Sequence, residues 1–420
     1  MAEAPATHDS STVPLQFRRE PACPFGPASD YKRLRADEPV VRVPTPSGES
    51  AWLVTRYADV RRVFGDTRFS SRQPPVILER PPTGDSAQFS PPQFKGFFVT
   101  NDGSEHIRYR GILAPMFTVR EIKKMRPRIE EIVMAQLDAI QQAGPEVDLV
   151  AGFAQPVPGL VICELLGVPP ESRSFFHPRL AKLEDLTLPH EQIRVSLTEL
   201  IVYLIDFIQD QRRDPGQGVI GRLIREHGQE LSDEELCGIS GMFLLAGYWP
   251  PANVLATSFL LLLHNPGQLK ILRENSESAT SAVEELLRYL SIVTLGQLRT
   301  ATEDLEVDGQ LIRSGDFVMC SLASANRDER FHEDGEIFDI SRRPSPHVAF
   351  GYGPHQCLGQ QLARMVFKIA IPALFRRFPD VSPAVSFEDI HFYSNTVVHG
   401  IHSLPVRLWR EEATPDADRG

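Results

Sequence analysis

Residues 350–359 read Phe350-Gly351-Tyr352-Gly353-Pro354-His355-Gln356-Cys357-Leu358-Gly359, and a helical pattern follows over residues 360–376. The cysteine stands at the mouth of that helix, behind a loop of glycine and proline that lets backbone close tightly around it. Backbone N–H groups and the positive helix end both favour a negative sulfur. The expected thiol therefore has a lowered pKa and binds a soft or borderline metal. Taken alone, the arrangement equally describes a buried cysteine at an ordinary loop-to-helix junction.

The chain has 420 residues, 42% of them hydrophobic, enough for a large core; length alone suggests two or three domains. A formal net charge of −11 argues against wholesale nucleic-acid binding. Five cysteines (Cys23, Cys163, Cys237, Cys320 and Cys357) form an odd, scattered set without CxxC spacing. Neither a disulfide framework nor a zinc site follows, which fits a reducing, cytoplasmic setting. The first twenty residues mix His8, Asp9, Arg18, Arg19 and Glu20 with proline and serine, so no leader, anchor or membrane span is expected.

The ten-residue run resembles the haem-thiolate signature of the cytochrome P450 family, Phe-Gly-x-Gly-x-His-x-Cys-x-Gly, with every fixed position filled. The resemblance extends over about residues 39–408 and points to a soluble, bacterial-type member. It implies a mainly α fold with a small β-rich lobe (α+β): one large domain at 31–410 between a flexible arm, 1–30, and a disordered tail, 411–420. This overrides the length argument. The implied cofactor is haem b, iron protoporphyrin IX, with Cys357 as axial iron ligand, its thiolate pushing electron density towards O–O cleavage. Phe350 would pack beside the haem near the sulfur, His355 would reach a haem propionate, and Gly359 closes the cofactor loop.

Residues 40–43 and 51–54, joined through Thr45-Pro46-Ser47-Gly48, predict a β-hairpin, and a short helix follows at about 57–64. Prolines at 74, 75, 81, 82, 91 and 92 exclude a regular element over 72–98, so this is a long loop. In the family this region caps the substrate pocket; Ile77, Leu78, Phe89, Phe94, Phe97 and Phe98 are its apolar candidates. His106 and Arg110 stand four apart, on one helix face, and resemble the family's propionate-binding pair. Without that resemblance they read as a solvated charged face. Arg299 resembles a further propionate partner. An amphipathic helix is expected over 121–142, a core run interrupted by Pro156, Pro158 and Gly159 over 147–166, and another helix over 196–211. Glu285 and Arg288, at i,i+3, look like the family's structural ion pair, completed by an arginine at 342 or 343, Arg342 being favoured. Asp308-Gly309 reads as a hairpin turn, and residues 391–408 as a closing β-hairpin whose tip near Thr396-Val397-Val398 reaches substrate. Phe243, Trp249, Val293, Thr294, Leu295 and Val397 complete the candidate substrate contacts.

The longest predicted helix opens at Ser232, whose capping box with Glu235 marks its start, and stops at Asn265-Pro266-Gly267. At ~1.5 Å per residue it crosses close to 50 Å. Ala246 and Gly247, at its centre, let a flat cofactor or a diatomic ligand approach the backbone. In the family an acid and then an alcohol, which carry protons to iron-bound dioxygen, follow one residue after this pair. Here Trp249 and Pro250 occupy those places. Prolines at 250 and 251 also remove the i+4 donors of the Ala246 and Gly247 carbonyls, so a kink is expected, with both carbonyls turned towards the cofactor space. In the alternative, the kink only accommodates packing of Tyr248 and Trp249.

The reading is a haem-thiolate oxidase or monooxygenase acting on a specialised small molecule, by hydroxylation or by ring closure, coupling, desaturation or rearrangement. Electrons would come from a separate ferredoxin and ferredoxin reductase, the former docking on Arg108, Arg120, Lys123, Lys124, Arg126, Arg364 and Lys368, which lie on helices that in the family flank the cysteine side of the haem; the alternative is an ordinary solvated charged face. The rival is a non-catalytic haem-binding relative that activates another enzyme; a third reading is haem-based sensing.

Overall fold

The structure, a computed structural model, describes residues 19–20, 23–45, 49–72, 95–184, 188–275, 278–293, 295–296, 298–393 and 398–409. It is mainly helical with a small β-rich lobe. In that lobe Val40–Pro44 and Ser50–Val54 pair as the expected hairpin, Val40 opposite Val54. Phe317–Cys320 joins the hairpin in parallel, and Arg299–Ala301 and Phe69–Ser70 complete five strands. The turn at Asp308 and Gly309 has φ of 46° and 75°, the pair of positive angles that a two-residue hairpin with right-handed twist requires.

Three expected elements differ. The described part of the expected flexible arm is ordered: Cys23–Pro27 pairs with Arg19–Glu20, and Phe25 is buried in the main core because apolar contacts hold it there. The 121–142 run is two helices, Val119–Lys124 and Arg126–Ala143. Pro127 offers no N–H to the carbonyl of residue 123, so it ends the first and is tolerated in the opening turn of the second. Residues 391–408 do not form one hairpin: Phe392 bridges Ile401, Val398 bridges Val293, and Pro405–Arg407 pairs with Ser382–Pro383 and Glu146–Asp148. An apolar run shared among three partners has no single register to follow.

The central helix, Asp233–His264, organises the rest. At its start Ser232 Oγ accepts from the Glu235 N–H (3.2 Å), and Glu235 Oε2 accepts from the Ser232 N–H (2.7 Å). Arg108 and Tyr109 also donate to Glu235, at 2.6 and 2.7 Å; against burial, these bonds hold its carboxyl down to about 2. The helix continues through Pro250 and Pro251 and crosses Pro156–Leu166 closely. A Cβ on Gly247 would stand 2.6 Å from Ile162 Cδ1, and one on Gly159 3.1 Å from Tyr248 Cδ2. Backbone-to-side-chain contact of this kind is what fixes the two helices' separation. Among the described residues no helix is long and apolar enough to cross a membrane.

Candidate functional site

Between the central helix and the cysteine loop lies a cavity of about 330 Å³. Ala246, Gly247, Pro250 and Pro251 form one wall; Phe350, Cys357, Leu358 and Gly359 form another. Two backbone bonds and one side-chain bond are among those that hold the cysteine loop. Its Cys357 N–H donates to Phe350 O at 2.9 Å, Gln356 N–H donates to Gly353 O at 3.0 Å, and Arg110 Nη2 donates to Gln356 O at 2.6 Å. Gly353 has φ +74°, and a Cβ there would stand 2.4 Å from Phe64 O, so only glycine fits.

Cys357 is exposed to the cavity, with protein packed around that cavity on all sides of the sulfur. Its thiol is pushed up by burial, against the pull of the Gly359 N–H and the Arg110 and Arg364 cations. The expected lowered pKa is thus reversed: the favourable groups are in place, but distance from bulk water outweighs them.

One end of the cavity gathers His106, Arg110, Arg299 and His355. His106 is 4% exposed, its Nε2 has no hydrogen-bond partner among the described residues, and its ring centroid lies 3.9 Å from that of His355. His355 Nε2 stands 3.6 Å from Asp102 Oδ1. Asp102 also accepts from the Ser71 N–H at 3.0 Å and from Ser70 Oγ. Burial, then the neighbouring imidazole and cations, pushes His355 down to about 4; burial and Arg110 push His106 down. Burial also lowers Arg110 and Arg299, the latter packed over the Phe64 ring at 5.1 Å. Such a cluster of buried donors suits an anionic group.

Away from the cavity, Glu285 and Arg288 form a fully buried pair (2.7 Å), and Arg342 Nε lies 3.6 Å from Glu285 Oε1. Geometry therefore selects Arg342 over Arg343.

Of the candidate substrate contacts, Phe98, Phe243 and Val293 line the cavity. Leu295 does not: it is 1% exposed in a separate core with Ala28, Tyr31 and Leu34, because the chain turns towards the β-rich lobe there. Trp249 also does not line it. It packs against the main core, a turn of about 100° from Pro250, its indole N–H buried and unpaired among the described residues. Ile77, Leu78, Phe89, Phe94, Thr294, Thr396 and Val397 lie outside the described residues. The smallness of Gly247 is demanded by Ile162, whereas Ala246 is exposed to the cavity.

The basic patch is smaller than the sequence suggested. Arg108, Lys124, Arg126 and Arg364 are taken by Glu235, Glu121, Glu130 and Glu284. Arg120, Lys123 and Lys368 have no such partner among the described residues. Sequence reading missed Asp102, Glu284 and His347. Only the doubled acid at 284–285 hinted at one of them.

A cysteine thiol and a cluster of buried arginine and histidine side chains, lining one otherwise apolar cavity, fit an iron porphyrin that carries carboxylates. Comparison with known proteins agrees. The cytochrome P450 family model matches residues 190–398. The chain is 40% identical over 405 residues to "Cytochrome P450-SU2" of Streptomyces griseolus, covering 96% of this chain and 99% of that one. It is 39% identical over 386 residues to "Nocardicin C N-oxygenase" of Nocardia uniformis subsp. tsuyamanensis, covering 90% and 94%. The solved structure of P450 StaH, from glycopeptide antibiotic biosynthesis, superposes with a TM-score of 0.83 at 39% identity, over 94% of this chain and 99% of that one.

Proposed function

Since the chain belongs to the cytochrome P450 family, whose members bind haem b and act as monooxygenases, we propose that it oxidises a specialised-metabolite small molecule with Cys357 as the axial ligand to haem iron. The observation that carries this reading is Cys357 opening onto a cavity whose facing wall is Ala246, Gly247, Pro250 and Pro251. Relatives named for nocardicin C N-oxygenation and for glycopeptide antibiotic biosynthesis support the substrate class.

Haem, when bound, supplies the dioxygen-activating chemistry. His106, Arg110, Arg299 and His355 would hold its carboxylates, and Phe350 and Leu358 would flank the sulfur's side of the ring. Phe98, Phe243 and Val293 present apolar surface to substrate. No ionisable or hydroxyl side chain projects from the 246–251 segment towards the cavity, so this wall cannot itself relay a proton. Protons arrive instead from substrate hydroxyl or amide groups, or from water held on the Ala246 and Gly247 carbonyls, which lack i+4 donors. What the substrate brings then selects among hydroxylation, ring closure, coupling, desaturation and rearrangement.

The experiment compares ferredoxin-driven with peroxide-driven turnover for the native protein and for Pro250→Thr. Native turnover should lose coupling when the substrate's polar groups are removed, and Pro250→Thr should restore part of it. Tight coupling that ignores those groups would overturn substrate assistance. A ferredoxin and its reductase are the electron donors in this reading, with Arg120, Lys123 and Lys368 as the docking cations.

A further inference from the structure

Behind the cysteine loop Glu284, His347 and Arg364 form a linked set of polar side chains that the proposed reaction does not use, with Arg364 Nη1 also donating to Gln360 Oε1 at 3.0 Å. Glu284 receives Arg364 through two parallel bonds, Nε to Oε1 at 2.8 Å and Nη2 to Oε2 at 3.0 Å. His347 Nδ1 accepts from the Ala349 N–H at 3.2 Å, so its proton sits on Nε2, which donates to Glu284 Oε2 at 3.1 Å. The side chains of His347, Glu284 and Arg364 are 3%, 15% and 20% exposed, so solvent screens the group weakly. The Arg364 guanidinium carbon lies 4.6 Å from the centroid of the Phe350 ring, and Phe350 in turn lines the cavity beside Cys357.

A fixed cation at this place does two things. It holds the Phe350 ring by its face, and it favours negative charge on the nearby sulfur. Glu284 opposes the second effect, because its carboxylate is paired with Arg364 and carries the opposite charge. Despite burial, which pulls it up, the bonds from His347 and Arg364 keep Glu284 down to about 2, so it stays charged across the working pH range.

We propose that Arg364 and Glu284 are positioning residues that set the electrostatic potential at the Cys357 sulfur, and through it the reduction potential of bound iron, with His347 orienting Glu284. The proposal rests on the thiolate reading of Cys357 and adds to it a source of tuning outside the cavity. Arg364 makes iron easier to reduce; Glu284 restrains it.

The test is a spectroelectrochemical titration of the haem-loaded protein, paired with its reduced carbon-monoxide spectrum. Glu284→Gln should raise the midpoint potential by on the order of tenfold in the one-electron equilibrium, which is 59 mV. Arg364→Gln should lower it, Arg364→Lys should stay near the native value, and the Gln/Gln double variant should return towards it. Equal potentials throughout, shifts of one sign for both Gln variants, or Arg364→Lys behaving like Arg364→Gln would each overturn the proposal. If Arg364→Gln takes up no haem, Glu284→Gln and Arg364→Lys decide. A native spectrum without thiolate character sinks the Cys357 reading itself, a separate outcome.

Discussion

Replacing Arg288 with leucine tests the packing that holds the cysteine loop in place. The side chain is 1% exposed and makes five hydrogen bonds. Two go to Glu285, at 2.7 and 2.8 Å. The other three go to the carbonyls of Asn326 (2.7 Å), Gly335 (2.7 Å) and Ile337 (3.1 Å). Asn326 also donates from Nδ2 to Ser291 Oγ and accepts from the Val348 N–H, which leads into the haem loop. Among the described residues, leucine leaves buried Glu285 with the Asp339 N–H at 3.0 Å and Arg342 at 3.6 Å as its remaining partners. Breaking a buried pair by removing one partner costs about 3–5 kcal/mol. The Asn326 and Gly335 carbonyls, left dry, add about 1–3 kcal/mol each, while Ile337 O keeps a bond from Arg342 Nη2 at 3.4 Å. The sum is comparable to the whole stability of a typical protein, about 5–15 kcal/mol, so Arg288→Leu should yield little folded, haem-binding protein. Urea unfolding followed by circular dichroism reads the effect. Arg288→Lys should fall between native and leucine, and Glu285→Leu/Arg288→Leu should be more stable than Arg288→Leu alone, because no charge is left stranded. An Arg288→Leu protein within about 1 kcal/mol of native would show that this buried pair does not hold the loop.

Gly247→Ala should destabilise by about 1–3 kcal/mol through overlap with Ile162, offset in part by the helix preference of alanine, about 1 kcal/mol, and Gly247→Ala/Ile162→Ala should be milder in thermal unfolding. His332 is 2% exposed and is pushed down to about 3 by burial, then by Arg288, His347 and Arg342. Its folded pKa lies below the unfolded value, so its contribution is complete above about pH 6.5 and is lost as pH falls towards 3; His332→Gln should flatten the unfolding midpoint over that interval. Glu235→Gln weakens the capping box and the Arg108 and Tyr109 bonds together, and should lower the denaturation midpoint while leaving the cavity's spectral response to ligands intact. Reversing Arg120 and Lys123 to glutamate should raise the KM for ferredoxin severalfold, more at low salt, without changing peroxide-driven turnover.

What could be read from the chain were features whose cause is local. Glycine and proline around Cys357, the Ser232–Glu235 box, the stop at Asn265 and the Asp308-Gly309 turn each need only neighbouring residues to act. The same holds for the spacing of Glu285 and Arg288. What escaped depends on partners far along the chain. Leu295 turned to the lobe core because Ala28 and Tyr31 are there to receive it. Arg364 left the docking patch because Glu284, eighty positions away, claims it. The thiol's direction of shift followed depth, which no motif encodes.

The most direct measurement is the reduced carbon-monoxide difference spectrum of the haem-loaded protein and of Cys357→His. The native protein should show the red-shifted Soret band of thiolate ligation, and the histidine variant should lose it while keeping haem. A native band of the kind given by nitrogen ligation, or one unchanged by Cys357→His, would contradict the assignment of that sulfur to iron.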